Sequence, residues 1–512
     1  MSAPSSPTAP DGRESSPSAL EGHMDDHIGS HTVNPWLVLV IVCLAQFMVV
    51  LDATIVNVAL PSIQRDLELS PENLQWIVNS YTLVFGGFLL LGGRAADLLG
   101  RKRLFVAGLV VFSAASLVNA MATTGEMLIV ARGFQGLGGA LVSPAALSII
   151  TTTFDEGPAR TKALAVWGGI AAGGAAFGLL LGGILTDALS WEWNFLINVP
   201  IGIAAIAAAL RFVPESRHEG AQRHFDVAGA VTVTSGLMVL VYAIVKATDW
   251  GWTDPSTIAW FAGGIALLTA FVLIELRSPQ PLVRLSFFNK RWISTANATM
   301  FVVAGGMFGM FYFASLYVQQ ILGYDPLQAG LAFLPVSFGI MLGAGISQQL
   351  IGRVGVKPVV ITGMTLASIG LITLASTTQV GGTYLALLAG LLPMSIGMGF
   401  TFVPLTLIAT SGVEPSDAGL ASGVFNTSQQ IGGALGLAIL ASFSVSKTES
   451  VLGDLATRPS PDQLQLAVVE GFQTAFIVAA GLMVVGLLLV TFALRRRDVK
   501  NVHTGEALPV AV

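Results

Sequence analysis

Residues 36–60 read WLVLVIVCLAQFMVVLDATIVNVAL, an apolar run broken by one charge, Asp52. At 1.5 Å per residue the run is longer than the ~30 Å hydrocarbon core of a bilayer, so it reads as a membrane-spanning helix. A carboxylate inside such a helix is costly unless it titrates, pairs or faces water, which makes Asp52 a functional candidate before anything else is known. The alternative is an anchor hydrogen-bonded inside its own bundle.

The rest of the chain repeats the apolar pattern. Of 512 residues, 53% are hydrophobic and only 11% charged, less than half the charged share of a typical soluble domain. Fourteen apolar runs of about 20 residues follow one another: 36–60, 74–93, 104–121, 127–150, 163–186, 194–212, 227–246 and 257–276, then 293–317, 326–350, 358–377, 383–409, 419–443 and 471–494. Strands of a membrane barrel would be half as long and alternating, so the expected class is an all-α polytopic membrane protein with 14 transmembrane helices. Residues 1–33 and 496–512 are expected to be tails, the first of a disordered composition. It lacks the basic start and apolar block of a cleaved signal.

Charge placement sets the expected orientation. Nineteen of the 25 Lys and Arg lie in the connections after helices 2, 4, 6, 8 and 10 and in the C-terminal tail, against four in the opposite loops. By the positive-inside rule both termini are cytoplasmic, which requires an even number of spans. The single cysteine, Cys43, excludes an internal disulfide, and the six histidines form no pair at ligand spacing in a helix, so no metal or bound cofactor is expected.

An internal repeat is legible. Asp97-Leu98-Leu99-Gly100-Arg101-Lys102 follows run 2, and a weaker echo, Gly352-Arg353-Val354-Gly355-Val356-Lys357, follows run 10. Gly100 and Gly355 are 255 positions apart, and so are Gly178 and Gly433 in runs 5 and 13. The equal offsets imply two related six-helix halves, residues 34–212 and 292–495, with a two-helix insert, 213–291, between them. Duplicated halves are a carrier architecture, with the substrate site at their interface.

Candidate functional residues follow from cost and depth. Arg132, in Arg132-Gly133-Phe134-Gln135-Gly136, lies roughly 8 Å into run 4 from one face, and Asp52 roughly 24 Å into run 1 from the other. Both fall in the same half of the core, so pairing is allowed, and Gln135 and Gly136 share the Arg132 face. A carboxylate beside a cation in low dielectric has two accessible protonation states, as a proton-coupled carrier needs. A permanent ion pair joining helices 1 and 4 is the competing reading. Glu126, Asp187, Asp226, Glu275, Asp325 and Glu470 stand at helix ends, leaving Asp52 the one deep acid. In the connection after helix 2, Arg101 and Lys102 suit topology, while Asp97 can pair across the loop and latch that side shut. Gly174, Gly178 and Gly182 recur at i+4 and make a small-residue groove for close helix packing. Gln46, Asn57, Tyr81, Gln135, Tyr312, Asn426, Gln429 and Gln430 are the polar or aromatic candidates for a substrate cavity.

In these segments the chain resembles the 14-helix drug:proton antiporter branch of the major facilitator superfamily. The matching stretches also include Trp191–Gly202 and Ala421–Gln430, and the likeness runs over roughly residues 34–495. The resemblance implies that Asp52 and Arg132 couple transport to protons. It makes Asp97, Gly100, Arg101 and Lys102 a conformational gate, and Gly174, Gly178, Gly182 and Gly183 the antiporter motif. Three positions depart from the pattern: Leu179 stands where proline is usual, Glu192 where arginine is usual, and Leu98 where a basic residue is usual. The implied function is efflux of small amphipathic compounds from the cell across the plasma membrane, driven by the proton gradient, by a monomer that binds no nucleic acid. A carrier of a physiological solute with the same architecture is the alternative. No long soluble domain, nucleotide-binding loop or catalytic cluster points to an enzyme.

Overall fold

A computed structural model describes residues 34–154, 157–216, 226–279, 281–411, 413, 418–453 and 459–495, apart from a few side chains within helices. Both tails, the connection 414–417 and the side chain of Asp97 lie outside the described residues. Every regular element among the described residues is helical. In chain order the long helices are α1 (Pro35–Asp66), α2 (Pro71–Leu99), α3 (Arg101–Ala120), α4 (Gly125–Thr153), α5 (Pro158–Ala188), α6 (Trp193–Phe212) and α7 (Val227–Trp250). They continue as α8 (Pro255–Arg277), α9 (Arg291–Ile321), α10 (Pro326–Val354), α11 (Val356–Thr377), α12 (Tyr384–Thr410), α13 (Ala418–Gly453) and α14 (Pro461–Ala493). Thirteen of them are long and apolar enough to cross a membrane; the remaining run, 163–186, falls on α5, whose side chains are described only in part.

Local chemistry explains where helices start and break. Ser70, Thr124, Asp254, Asp325, Thr383 and Ser460 each accept from a backbone N–H of the first turn, and proline often follows as the first helical residue. Pro200 has no N–H to give Leu196, and α6 breaks at Ile197; Pro335 has the same effect on α10 at Phe333. α5 runs unbroken through Leu179. Gly100 and Gly355 join α2 to α3 and α10 to α11 with φ of +109° and +88°, a left-handed backbone that glycine adopts without strain.

Helices α1–α6 pack on one another, as do α9–α14. The two groups meet through α2 against α13, α5 against α10 and α1 against α9. Counting eight helices forward or back turns the α2–α13 contact into the α10–α5 contact, so the seams are related as the 255-residue offset requires. The insert covers one seam. Leu237, Val241, Ile244 and Val245 of α7 form a buried cluster with Leu83 of α2 and Ala434 and Ala438 of α13, and Ser442 donates to the Ile244 carbonyl. α8 packs on α7, with Ile258, Ile265, Val272, Leu273 and Leu276 exposed in a row that suits lipid.

Contacts of α1 and α5 with the second group lie at the end where α1 finishes. Ser315 donates to the Asn57 carbonyl, Gln319 to that of Val58 and Gln320 to the Gln64 side chain. At α5 the neighbours are Pro326 and Leu327 beside Gly183, and Leu179 and Leu180 beside Gly330. That end of the bundle is shut.

Candidate functional site

Asp52 is fully buried and Arg132 is 1% exposed. Their side chains meet at 2.5 Å between Arg132 Nη1 and Asp52 Oδ2, a pairing that their depths along α1 and α4 allow. Burying an ion pair is favourable only when the remaining donors and acceptors are filled, and here most of them are. Gln135 Nε2 donates to Asp52 Oδ1 at 2.6 Å and to Ser116 Oγ at 2.7 Å. Gln135 Oε1 accepts from Arg132 Nη1 and from Asn119 Nδ2, both at 2.7 Å. Asn198 Nδ2 gives Asp52 Oδ1 a second donor at 2.9 Å, and Arg132 Nε donates to the Ile77 carbonyl at 3.1 Å.

Two rings enclose the guanidinium. Its carbon lies 4.3 Å from the Tyr81 ring centroid and 5.7 Å from that of Phe195, within cation–π range. Gly136 makes this possible: a Cβ there would stand 2.4 Å from the Tyr81 carbonyl, so only glycine lets α2 and α4 approach so closely. Five helices, α1, α2, α3, α4 and α6, thus converge on one carboxylate. The arrangement can exchange a proton against a fixed cation. Protonating Asp52 removes the negative charge opposite Arg132, which keeps the Ile77 carbonyl, the Gln135 carbonyl oxygen and two aromatic faces.

Of the sequence candidates, the structure brings Asp52, Arg132, Gln135 and Tyr81 together. The other cavity candidates lie elsewhere. Gln46 accepts from Ser143 of α4, and Asn57 donates to its own helix at Ala53 and Thr54. Tyr312 is buried against Phe313, and Gln430 lies in the α2–α13 seam against Gly86; Asn426 and Gln429 are half-buried on the same helix. Gly174, Gly178 and Gly182 face α1 at Val50, Thr54 and Ile55, while Gly183 turns to α10.

Ser116 and Asn119 are not among the sequence candidates, and Asn198 and Phe195 enter the sequence reading only within the matching stretch Trp191–Gly202, without a role. A signal existed for three of them: Ser116 and Asn119 at i+3 on α3, and Asn198 within an apolar span, are each polar where polarity is costly. Position at a helix end also proved a poor guide to exposure. Asp226 and Glu275, at the foot of the insert, are 7% and 4% exposed.

In the gate region, Lys102 Nζ donates to the Leu210 carbonyl at the end of α6 at 2.8 Å. Glu215 stands over the start of α3, accepting from Lys102 N at 3.2 Å and lying 3.5 Å from Arg103 Nε. The related Lys357, 255 positions on, donates to the Thr491 and Leu494 carbonyls at the end of α14. Both lysines cap the last carbonyls of a helix in their own half. Lys102→Met is expected to lower stability by about 1 kcal/mol and Lys357→Met by somewhat more, read as melting temperature in detergent. Unchanged melting in both would remove the capping role.

A membrane bundle of two related six-helix groups, with one sealed charge pair in the first, is the structure of a polytopic helical carrier. The family model described as Major Facilitator Superfamily matches residues 42–437, and the chain belongs to that superfamily. It is 38% identical to the puromycin resistance protein of Streptomyces alboniger over 92% of this chain and 94% of that protein. It is also 38% identical to the cephamycin export protein of Amycolatopsis lactamdurans, over 84% and 89%. Among solved structures, the bacterial homologue of the human lysosomal transporter Spinster, inward-facing and unoccupied, matches with TM-score 0.64 over 94% of this chain and 100% of that one. At 16% identity that likeness is one of fold alone.

Proposed function

We propose that this protein exports small amphipathic compounds, antibiotics among them, in exchange for protons. The observation that carries the reading is the sealed Asp52–Arg132 pair in a superfamily member whose relatives include a puromycin resistance protein and a cephamycin export protein. In this reading a proton from outside neutralises Asp52 and loosens α1 from α4. Substrate binding on the inner side then displaces that proton inward. Residues 34–212 and 292–495 act as the two moving halves and 213–291 as a fixed brace along the α2–α13 seam. With both termini cytoplasmic, the shut end faces outward and the carrier opens to the cytoplasm. Gly100, Arg101 and Lys102, with Asp97, belong to the cytoplasmic gate; Gly183, against α10, lies on the surface where the halves rock, while Gly174, Gly178 and Gly182 pack α5 on α1 within one half. The protein works as a monomer in the plasma membrane without a bound cofactor. A neutral or singly charged substrate fits best, because among the described residues the buried acids other than Asp52, Asp226 and Glu275, lie at the insert.

The test uses everted membrane vesicles with an imposed pH gradient. Puromycin, as the first probe, is expected to release part of the gradient in vesicles carrying the protein and none in vesicles without it. A growth-inhibition screen across antibiotic classes then defines the range. If no compound protects cells or moves protons, drug export fails as the function.

A further inference from the structure

We infer that Asn198 is the group that answers the protonation of Asp52, by turning its carboxamide over, while Gln135 holds still. The inference rests on the proton-carrier reading of Asp52 and assigns Asn198 its part in it. All three side chains bonded to Asp52 are donors: Arg132 to Oδ2, and Gln135 and Asn198 to Oδ1. They match a carboxylate, which only accepts. A carboxylic acid carries an O–H that needs an acceptor, and a buried O–H without one costs free energy. One of the neighbours must therefore change what it presents.

Gln135 is poorly placed to change. Its Oε1 holds Arg132 and Asn119 and its Nε2 also holds Ser116, so turning the amide would set two donors against its NH2 group. Arg132 has no acceptor to offer. Asn198 differs: its Nδ2 makes one bond, to Asp52, and its Oδ1 is buried with no hydrogen-bond partner among the described residues. Turning it about χ2, a soft torsion for asparagine, loses nothing else and brings Oδ1 to the acid proton. Tyr81 Oη is likewise buried and unpartnered, but it points along α4 towards Gly139, 3.3 Å from a Cβ built there. The titratable groups facing Asp52 are Arg132 from α4 and Tyr81 from α2; α3 and α6 present only hydroxyl and amide groups. The position of Asn198 helps further. It opens the second segment of α6, directly after the break at Ile197, and Asn194 one turn earlier is tied to Thr186 of α5 at 2.6 Å. A change at Asn198 is therefore felt where α6 meets both α1 and α5.

The test is infrared difference spectroscopy of the purified full-length protein in detergent, titrated with acid. The carboxylic C=O band of Asp52 is identified by its absence in Asp52→Asn. In Asn198→Ala the acid loses its acceptor and the carboxylate loses one donor. The band is expected to move to higher frequency, while the titration midpoint moves by less than about half a pH unit because both states are weakened. Were Asn198 a fixed donor, the carboxylate would lose the more from its removal and the midpoint would rise by about one unit or more; that result overturns the proposal. Asn198→Leu keeps the side-chain volume and carries the same two expectations if the alanine variant does not fold. Failure of the proton-carrier reading itself looks different: wild-type protein would show no Asp52 acid band at any pH.

Discussion

Asp52→Asn is expected to abolish substrate-driven release of a pH gradient in everted vesicles, down to the background of vesicles without the protein, with membrane insertion and amount unchanged. The replacement is nearly isosteric, so packing in the fully buried site survives. Its chemistry does not. An amide oxygen in place of Oδ2 still accepts from Arg132, but the NH2 group then stands against Gln135 Nε2, which is held by Ser116. The lost charge-assisted bonds cost stability of about 1–3 kcal/mol, while the loss of a titrating group removes coupling altogether. Arg132→Leu is the harsher partner. It strands a buried carboxylate, which costs about 3–5 kcal/mol unless Asp52 takes up a proton, so its melting temperature should fall and recover in acid. Full coupling in Asp52→Asn would end the role assigned to the pair.

The second large effect is expected at the α5–α10 crossing. A Cβ on Gly183 would stand 2.5 Å from the Pro326 carbonyl, and one on Gly330 would stand 2.5 Å from the Leu179 carbonyl. Both obstacles are backbone, so no side chain can swing aside, and the helices themselves must part. Gly183→Leu should therefore hold the shut end open and cut transport to below roughly a tenth of wild type, since a wedge of that size exceeds what packed helices absorb. Opening is read at Ser315, buried where α1 meets α9. In a Cys43→Ser background, Ser315→Cys should react with a membrane-impermeant maleimide several times faster once Gly183→Leu is added. Gly169→Ala and Gly345→Ala, whose Cβ positions meet nothing within 4 Å, are the controls and should change neither readout. Equal labelling and normal transport in Gly183→Leu would show that this crossing does not govern closure.

The parts of the fold legible in sequence are those set by one helix or one loop at a time. Apolar length located the spans, and the offset from Gly100 to Gly355 exposed the repeat because a left-handed junction restricts residue choice to glycine at both places. Pro200 and Pro335 also mark the breaks in α6 and α10, although the break itself depends on which carbonyl is left unpaired. The site was legible in part. Asp52 and Arg132 stood out because charge in an apolar run is expensive, and their depths made a pairing possible.

What was not legible depends on rotation and contact between helices. The same polar residue can line a cavity or satisfy its own backbone, as Gln135 and Asn57 show: one binds the charge pair, the other its own helix. Lys102 reads as a topology or gate residue in sequence, and only packing shows that it closes the end of α6. By itself, then, the sequence determined the class, the span order, the duplicated plan and the one charge pair that membrane burial would not tolerate alone. Tertiary structure decided which donors complete that pair and which glycine faces which helix. It also showed that α7 braces one seam and leaves the other to α5 and α10. The reason is physical: burial cost belongs to a residue and is visible along a chain, whereas a hydrogen bond belongs to two helices at one rotation and exists only once they have packed.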